Sequence, residues 1–177
     1  MPHPFQLSRD SQALFITIVT NHRLPVFRTD AMKEVLCGAI DEARKSAGFL
    51  LFAYVIMVDH IHLLTDRPTT TSDVLRVVKG LTARRVIDHL KAKNHASSLA
   101  KLQHQQRERN YKYSLWQTEK NVLSIFSEAM FMRKVNYIHQ NPVCAGLWKE
   151  QRITGGRVRG SGRDARLAMS RCQWIKT

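Results

Sequence analysis

The stretch Ala13 to Asn21 (ALFITIVTN) is β-branched and aromatic on both parities. A strand with one wet face alternates apolar and polar residues; one that does not alternate is covered on both faces. The chain is therefore expected to build around a central strand near its start. A loop follows from Asn21 to Arg28, and Thr29 or Asp30 can then cap a helix. Its apolar positions Met32, Val35, Leu36, Ala39, Ile40 and Ala43 recur at helical spacing, with Gly48 as the terminator. Phe49 to Val58 predicts a second strand, Asp59 a tight turn, and Ile61 to Thr65 a third strand pairing back on the second.

Ser72 to Leu90 returns to helical period. Val74, Leu75, Val77, Val78, Leu81 and Val86 fall on one arc, and Arg76, Lys79, Arg84 and Lys91 on the other. Lys91 to Tyr113 is polar and reads as a loop. Leu115 to Phe126 has mixed strand character. Ser127 caps a last helix through His139, ended by Asn141-Pro142, because the residue before a proline disfavours the α region. The order β-α-β-β-α-(β)-α predicts an α+β chain, a ferredoxin-like antiparallel sheet with helices packed on one face. At 177 residues it suits one domain over 1–150, with a basic C-terminal extension over 151–177.

Charge narrows the function. The net charge is +14, from 28 Lys and Arg against 14 Asp and Glu. Residues 1–66 hold six basic and seven acidic side chains; the remainder holds 22 and seven. A field this strong and this localised fits a polyanion, of which nucleic acid is the commonest, better than a small neutral metabolite. No apolar run approaches the ~20 residues that cross a bilayer, and the start lacks a signal-peptide pattern. Cys37, Cys144 and Cys172 are odd in number and widely spaced, which argues against a disulfide framework and fits a cytoplasmic location.

Two short constellations carry chemistry. In Asp59-His60-Ile61-His62-Leu63-Leu64, strand alternation puts His60 and His62 on one face, where both can reach a single divalent cation. A bare His-x-His is also what two ordinary histidines at a strand end look like. Asp59 can orient an imidazole or simply favour the turn. In Arg133-Lys134-Val135-Asn136-Tyr137-Ile138-His139-Gln140-Asn141-Pro142, Tyr137 and Asn141 stand one helical turn apart on one face. Asn141 offers a neutral carbonyl oxygen, and Arg133 and Lys134 can sit near a phosphate. Taken alone, Tyr137 is equally a core or surface residue and Asn141 a helix stop.

Together the two motifs resemble the single-strand tyrosine transposases of the HUH superfamily, and more narrowly the REP-associated tyrosine transposases. The resemblance rests on Ala53 through Leu64, on Leu115-Trp116-Gln117, and on Tyr137 through Leu147, and it spans residues 13–148. It implies a metal-dependent nuclease and strand transferase acting on single-stranded DNA at REP-type hairpins through a 5′-phosphotyrosine intermediate. Carried over by position, Tyr137 is the nucleophile, His60, His62 and Asn141 bind Mg²⁺ or Mn²⁺, and the enzyme works as a monomer or homodimer.

A phenol with a pKa near ~10 is a weak nucleophile at neutral pH, which is why such chemistry needs a Lewis acid on the phosphate. For DNA contacts, Arg76, Lys79, Arg84, Lys91, Arg133 and Lys134 are the expected backbone residues. Trp116 and Gln117, with Tyr111 and Tyr113 nearby, are candidates for contact with unpaired bases, although Trp116 is equally a core residue.

Three departures from the family pattern stand out. Val58 replaces a proline before the Asp, Cys144 replaces a basic residue after Asn-Pro-Val, and the closing segment runs through Arg152, Arg157, Arg159, Arg163 and Arg166. The alternative function is a domesticated, non-catalytic hairpin-binding protein of the same fold. An unrelated RNA-binding module of ferredoxin-like shape ranks last, since the aromatic pattern of RRM strands is not apparent.

Overall fold

The computed structural model describes residues 13–103 and 112–144. Its elements are β1 (Ala13–Val19), α1 (Asp30–Ala47), β2 (Leu51–Ile56), β3 (His60–Asp66), α2 (Thr71–Ala92), α3 (Ala96–Lys101), β4 (Asn121–Ile125) and α4 (Glu128–Cys144). A short 3-10 turn, Asn21–Arg23, leaves β1. The four strands form one antiparallel sheet in the order β2-β3-β1-β4. This is the split arrangement the element order predicted, and β1 is the inner strand that its two-sided apolar pattern required.

Local signals set the helix ends. Thr29 caps α1, its hydroxyl accepting from the Met32 amide, and Gly48 closes it with φ 69°, a left-handed conformation that glycine adopts without strain. Thr70 caps α2 in the same way through the Asp73 amide, and Ser127 caps α4 through that of Met130. α4 then runs past the expected stop at Asn141-Pro142 to Cys144. The proline has no N–H for the Ile138 carbonyl, yet the helix continues through it. α3 occupies a segment expected to be loop.

Side-chain alternation divides the sheet into two unlike faces. Leu14, Ile16 and Ile18 of β1 join Ile61 and Leu63 of β3 in the main core, with Leu36 and Ile40 of α1 and Val74, Val78 and Val86 of α2. Ala13 and Phe15 point the other way, with Val55, Met57, Leu64 and Ile125, and there they meet Ile138 of α4. Met130, Phe131 and Val135 pack at the edge of this second cluster. Helices therefore cover both faces: α1 and α2 on one, α4 on the other. The expectation of helices on one face holds for α1 and α2, and α4 departs from it because its apolar stripe needs its own surface to bury. Burying Ile138 alone contributes about 2 kcal/mol.

Cys37 lies with its Sγ 3.1 Å from the Tyr54 hydroxyl. Against the expectation drawn from its spacing, it is disulfide-bonded. No helix among the described residues is long and apolar enough to cross a membrane. The extension 151–177, with its arginines, and Tyr111 lie outside the described residues.

Candidate active site

His60 and His62 leave β3 on the face that α4 covers. The register opposes His62 to Thr17 of β1 and to Val55 of β2, so the imidazole emerges from an inner strand. The two rings stand 4.8 Å apart, centroid to centroid, at 77°. α4 brings Tyr137 in above them, its ring 5.3 Å from that of His62 and tilted 74° to it. Phe15 forms the floor, stacked on His62 at 5.3 Å and edge-on to Tyr137 at 5.7 Å. Lys134, one turn before Tyr137, holds its ammonium 4.3 Å from the Phe15 centroid and 5.3 Å from that of Tyr137. Tyr137 remains 45% exposed.

Each imidazole has its Nδ1 engaged. Asp59 Oδ1 lies 2.6 Å from His60 Nδ1. A carboxylate only accepts, so this nitrogen carries a proton and Nε2 is the ring nitrogen that Asp59 leaves unengaged. Burial works to raise the Asp59 pKa, but the hydrogen bond from His60 and the ion pair with Arg23 outweigh it and hold the carboxyl below its ordinary value. Thr17 Oγ1 lies 2.9 Å from His62 Nδ1. The Nε2 of His62 is buried and has no hydrogen-bond partner. Desolvation, helped by the nearby charges of His60 and Lys134, pushes the His62 pKa down to about 4, so the ring is neutral near pH 7.

These features fit a divalent cation. A neutral imidazole with an engaged Nδ1 and an orphaned Nε2 is the state a metal ligand requires. Among the described residues no group of three or more His, Cys, Asp and Glu could hold a metal ion. Asn141, half-buried one turn beyond Tyr137 on α4, supplies a carboxamide at that level of the helix.

The expected DNA contacts separate. Arg133 is exposed beside the site and Lys134 is within it. Arg76, Lys79, Arg84 and Lys91 belong to α2, across the sheet from the imidazoles. Arg76 pairs with Asp73, Arg84 is exposed, and Lys91 reaches over the Tyr113 ring at 5.5 Å.

Two of the expected contacts are corrected. Lys79 turns inward, its ammonium donating to the carbonyls of Gln117 at 2.8 Å and Glu119 at 3.0 Å, which ties down that loop. Trp116 is 5% exposed, tilted against Phe27, with its indole N–H donating to Thr82 Oγ1 at 2.9 Å. It is core, not a stacking platform, because the bridge from Thr20 to Trp116 pulls this segment against β1. Gln117 is half-buried and donates its amide N–H to Val19 O. His139 is exposed.

Sequence reasoning missed Arg23, whose guanidinium lies 3.1 Å from Asp59 Oδ2. No periodicity marks a residue in a turn.

The four-stranded antiparallel sheet thus carries an imidazole pair on one face with the helix of Tyr137 laid across it. Residues 10–141 match the family model for IS200-like transposases, and the chain belongs to that family. Among solved structures it is similar to a REP-associated tyrosine transposase bound to a REP hairpin, at 18% identity and a TM-score of 0.55, over 85% of this chain and 77% of that one. It is also similar to a candidate transposase of Deinococcus radiodurans R1, at 23% identity and a TM-score of 0.49, over 71% of this chain and 87% of that one. No curated protein matches it significantly.

Proposed function

We propose that the protein is a REP-associated tyrosine transposase that nicks and rejoins single-stranded DNA beside hairpins. The observation that carries this reading is the approach of Tyr137 to the His60 and His62 pair, with a buried, unpartnered Nε2 on His62. Membership of the IS200-like family and the likeness in fold to a transposase bound to a REP hairpin support the same substrate class.

In this mechanism the Tyr137 hydroxyl oxygen attacks the scissile phosphorus. A P–O bond forms to the phenol and the P–O3′ bond breaks; the phenol gives up its proton and the departing 3′-oxygen gains one. The product is a 5′-phosphotyrosine and a free 3′-OH. A second 3′-OH reverses the step at a new junction, so no nucleotide cofactor is consumed. Lys134 holds its ammonium over the Tyr137 ring, which puts a positive charge beside the proposed nucleophile. His60, His62 and Asn141 would hold Mg²⁺ or Mn²⁺, which supplies Lewis-acid activation of the phosphate and a template for its oxygens. The neutral ligands leave the ion's charge undiminished, and Phe15 and Val55 keep one side of the site dry.

The test is a hairpin oligonucleotide with single-stranded flanks, incubated with Mg²⁺, Mn²⁺ or EDTA. The expected result is metal-dependent cleavage and a covalent protein–DNA adduct, both lost in Tyr137→Phe. Hairpin binding without an adduct in the wild type would favour the non-catalytic alternative, and cleavage unchanged in Tyr137→Phe would remove that residue from its role.

A further inference from the structure

The turn after β1 is built in a costly way. His22 and Arg23 both have positive φ, 53° and 52°, and neither is glycine. A non-glycine residue there costs on the order of 1 kcal/mol. Backbone bonds hold the turn, from Arg23 N to Thr20 O at 3.0 Å and from Leu24 N to Asn21 O at 3.2 Å. Thr20 fastens it to the β2–β3 connection, its amide and hydroxyl both donating to Asp59 O, at 2.8 and 2.9 Å.

Besides leading Leu24, Val26 and Phe27 into the core, the turn delivers one side chain to the imidazoles. Arg23 Nη1 reaches Asp59 Oδ2 at 3.1 Å while Asp59 Oδ1 receives His60 Nδ1 at 2.6 Å. The three residues form a chain from solvent to the imidazole. The Arg23 side chain is 68% exposed and that of Asp59 only 16%. An ion pair so open to water contributes little to folding, less than two left-handed residues cost. The Arg23–Asp59 pair itself therefore makes poor sense as a stabilising device and better sense as an orienting one. Asp59 has two oxygens; with Oδ2 held by Arg23, Oδ1 is left facing the ring.

We propose that Arg23 is a positioning residue for His60: by gripping the far oxygen of Asp59 it fixes the proton on Nδ1 and the plane of the ring, leaving Nε2 as the ligating atom. This rests on the reading of His60 and His62 as a metal pair, and it assigns a role to a residue outside both sequence motifs. A carboxylate behind a ligating imidazole sets the tautomer and raises basicity, and losing such a partner costs 10–100-fold in metal affinity. Arg23 acts one atom further out, so the lower end of that range is expected.

The experiment has two readouts. Mn²⁺ binding is titrated in wild type, Arg23→Gln, Arg23→Lys, Asp59→Asn and the double variant. Arg23→Gln should weaken Mn²⁺ about 10-fold with an unchanged melting temperature, Arg23→Lys should restore part of the loss, and the double variant should bind no worse than Asp59→Asn alone. Equal Mn²⁺ affinity in wild type and Arg23→Gln would overturn the proposal. The second readout is the ¹⁵N spectrum of His60 in metal-free protein: a single Nδ1–H tautomer in wild type and a mixture in Arg23→Gln. Wild type that binds no Mn²⁺ would sink the metal reading alone, and the ¹⁵N spectrum then decides the role of Arg23, an unchanged tautomer overturning it.

Discussion

Phe15 lies flat against His62, ring centroids 5.3 Å apart and planes 18° apart, across the β1–β3 pair. One aromatic side chain thus braces an imidazole, carries the Lys134 ammonium on its ring and meets Tyr137 edge-on. Replacing it with leucine keeps an apolar residue but removes all three ring contacts. Phe15→Leu is expected to lower stability by about 1–2 kcal/mol and to weaken Mn²⁺ binding several-fold. Chemical denaturation and metal titration on the same sample measure both.

Acid acts on the site through His62. Its folded pKa, about 4, lies below the ordinary 6.5, so between those values the unfolded chain takes up a proton that the folded chain refuses. Stability rises with pH across that window and is lost as pH falls through it, by at most about 3 kcal/mol. Metal-free wild type should show this acid limb in urea melts, and His62→Gln should flatten it. An NMR titration placing His62 near its ordinary value would contradict the geometry.

Trp116 is expected to behave as a core residue. Trp116→Phe leaves a gap and removes the donor to Thr82, at a cost of about 1–3 kcal/mol in the melting of the free protein. Single-stranded DNA affinity, measured well below the lowered melting point, should not change. A selective loss of DNA binding with stability intact would reinstate it as a base contact.

The α2 cations divide by what they touch. Lys79→Met should destabilise the 117–119 segment, since two backbone carbonyls lose their donor. Arg84→Ala, at an exposed position, should leave stability alone, weaken DNA binding evenly across sequences, and lower the slope of log K against log salt by about one. Melting curves and salt titrations of the two variants distinguish these outcomes.

The parts of this molecule set by local rules were readable from its residues. Strand period alone puts His60 beside His62, and helix period alone stacks Asn141 over Tyr137. Caps at Thr29 and Gly48 announced α1. What needed tertiary structure was less visible. Nothing within α4 says which face of the sheet its stripe will seek. Lys79 and Trp116 carry the residue types of a nucleic-acid surface, and only the path of the 114–119 segment turns one inward and buries the other. Arg23 depends on two left-handed residues that composition does not mark. The proline at 142 was a sound reason to end a helix, yet α4 continues past it.

The imidazoles sit on the third strand, while the phenol arrives with α4, the last described element. A chain emerging from the ribosome therefore carries the His60 and His62 pair well before it carries Tyr137 and Asn141. The four side chains of the proposed site can come together only when the last described helix has been made.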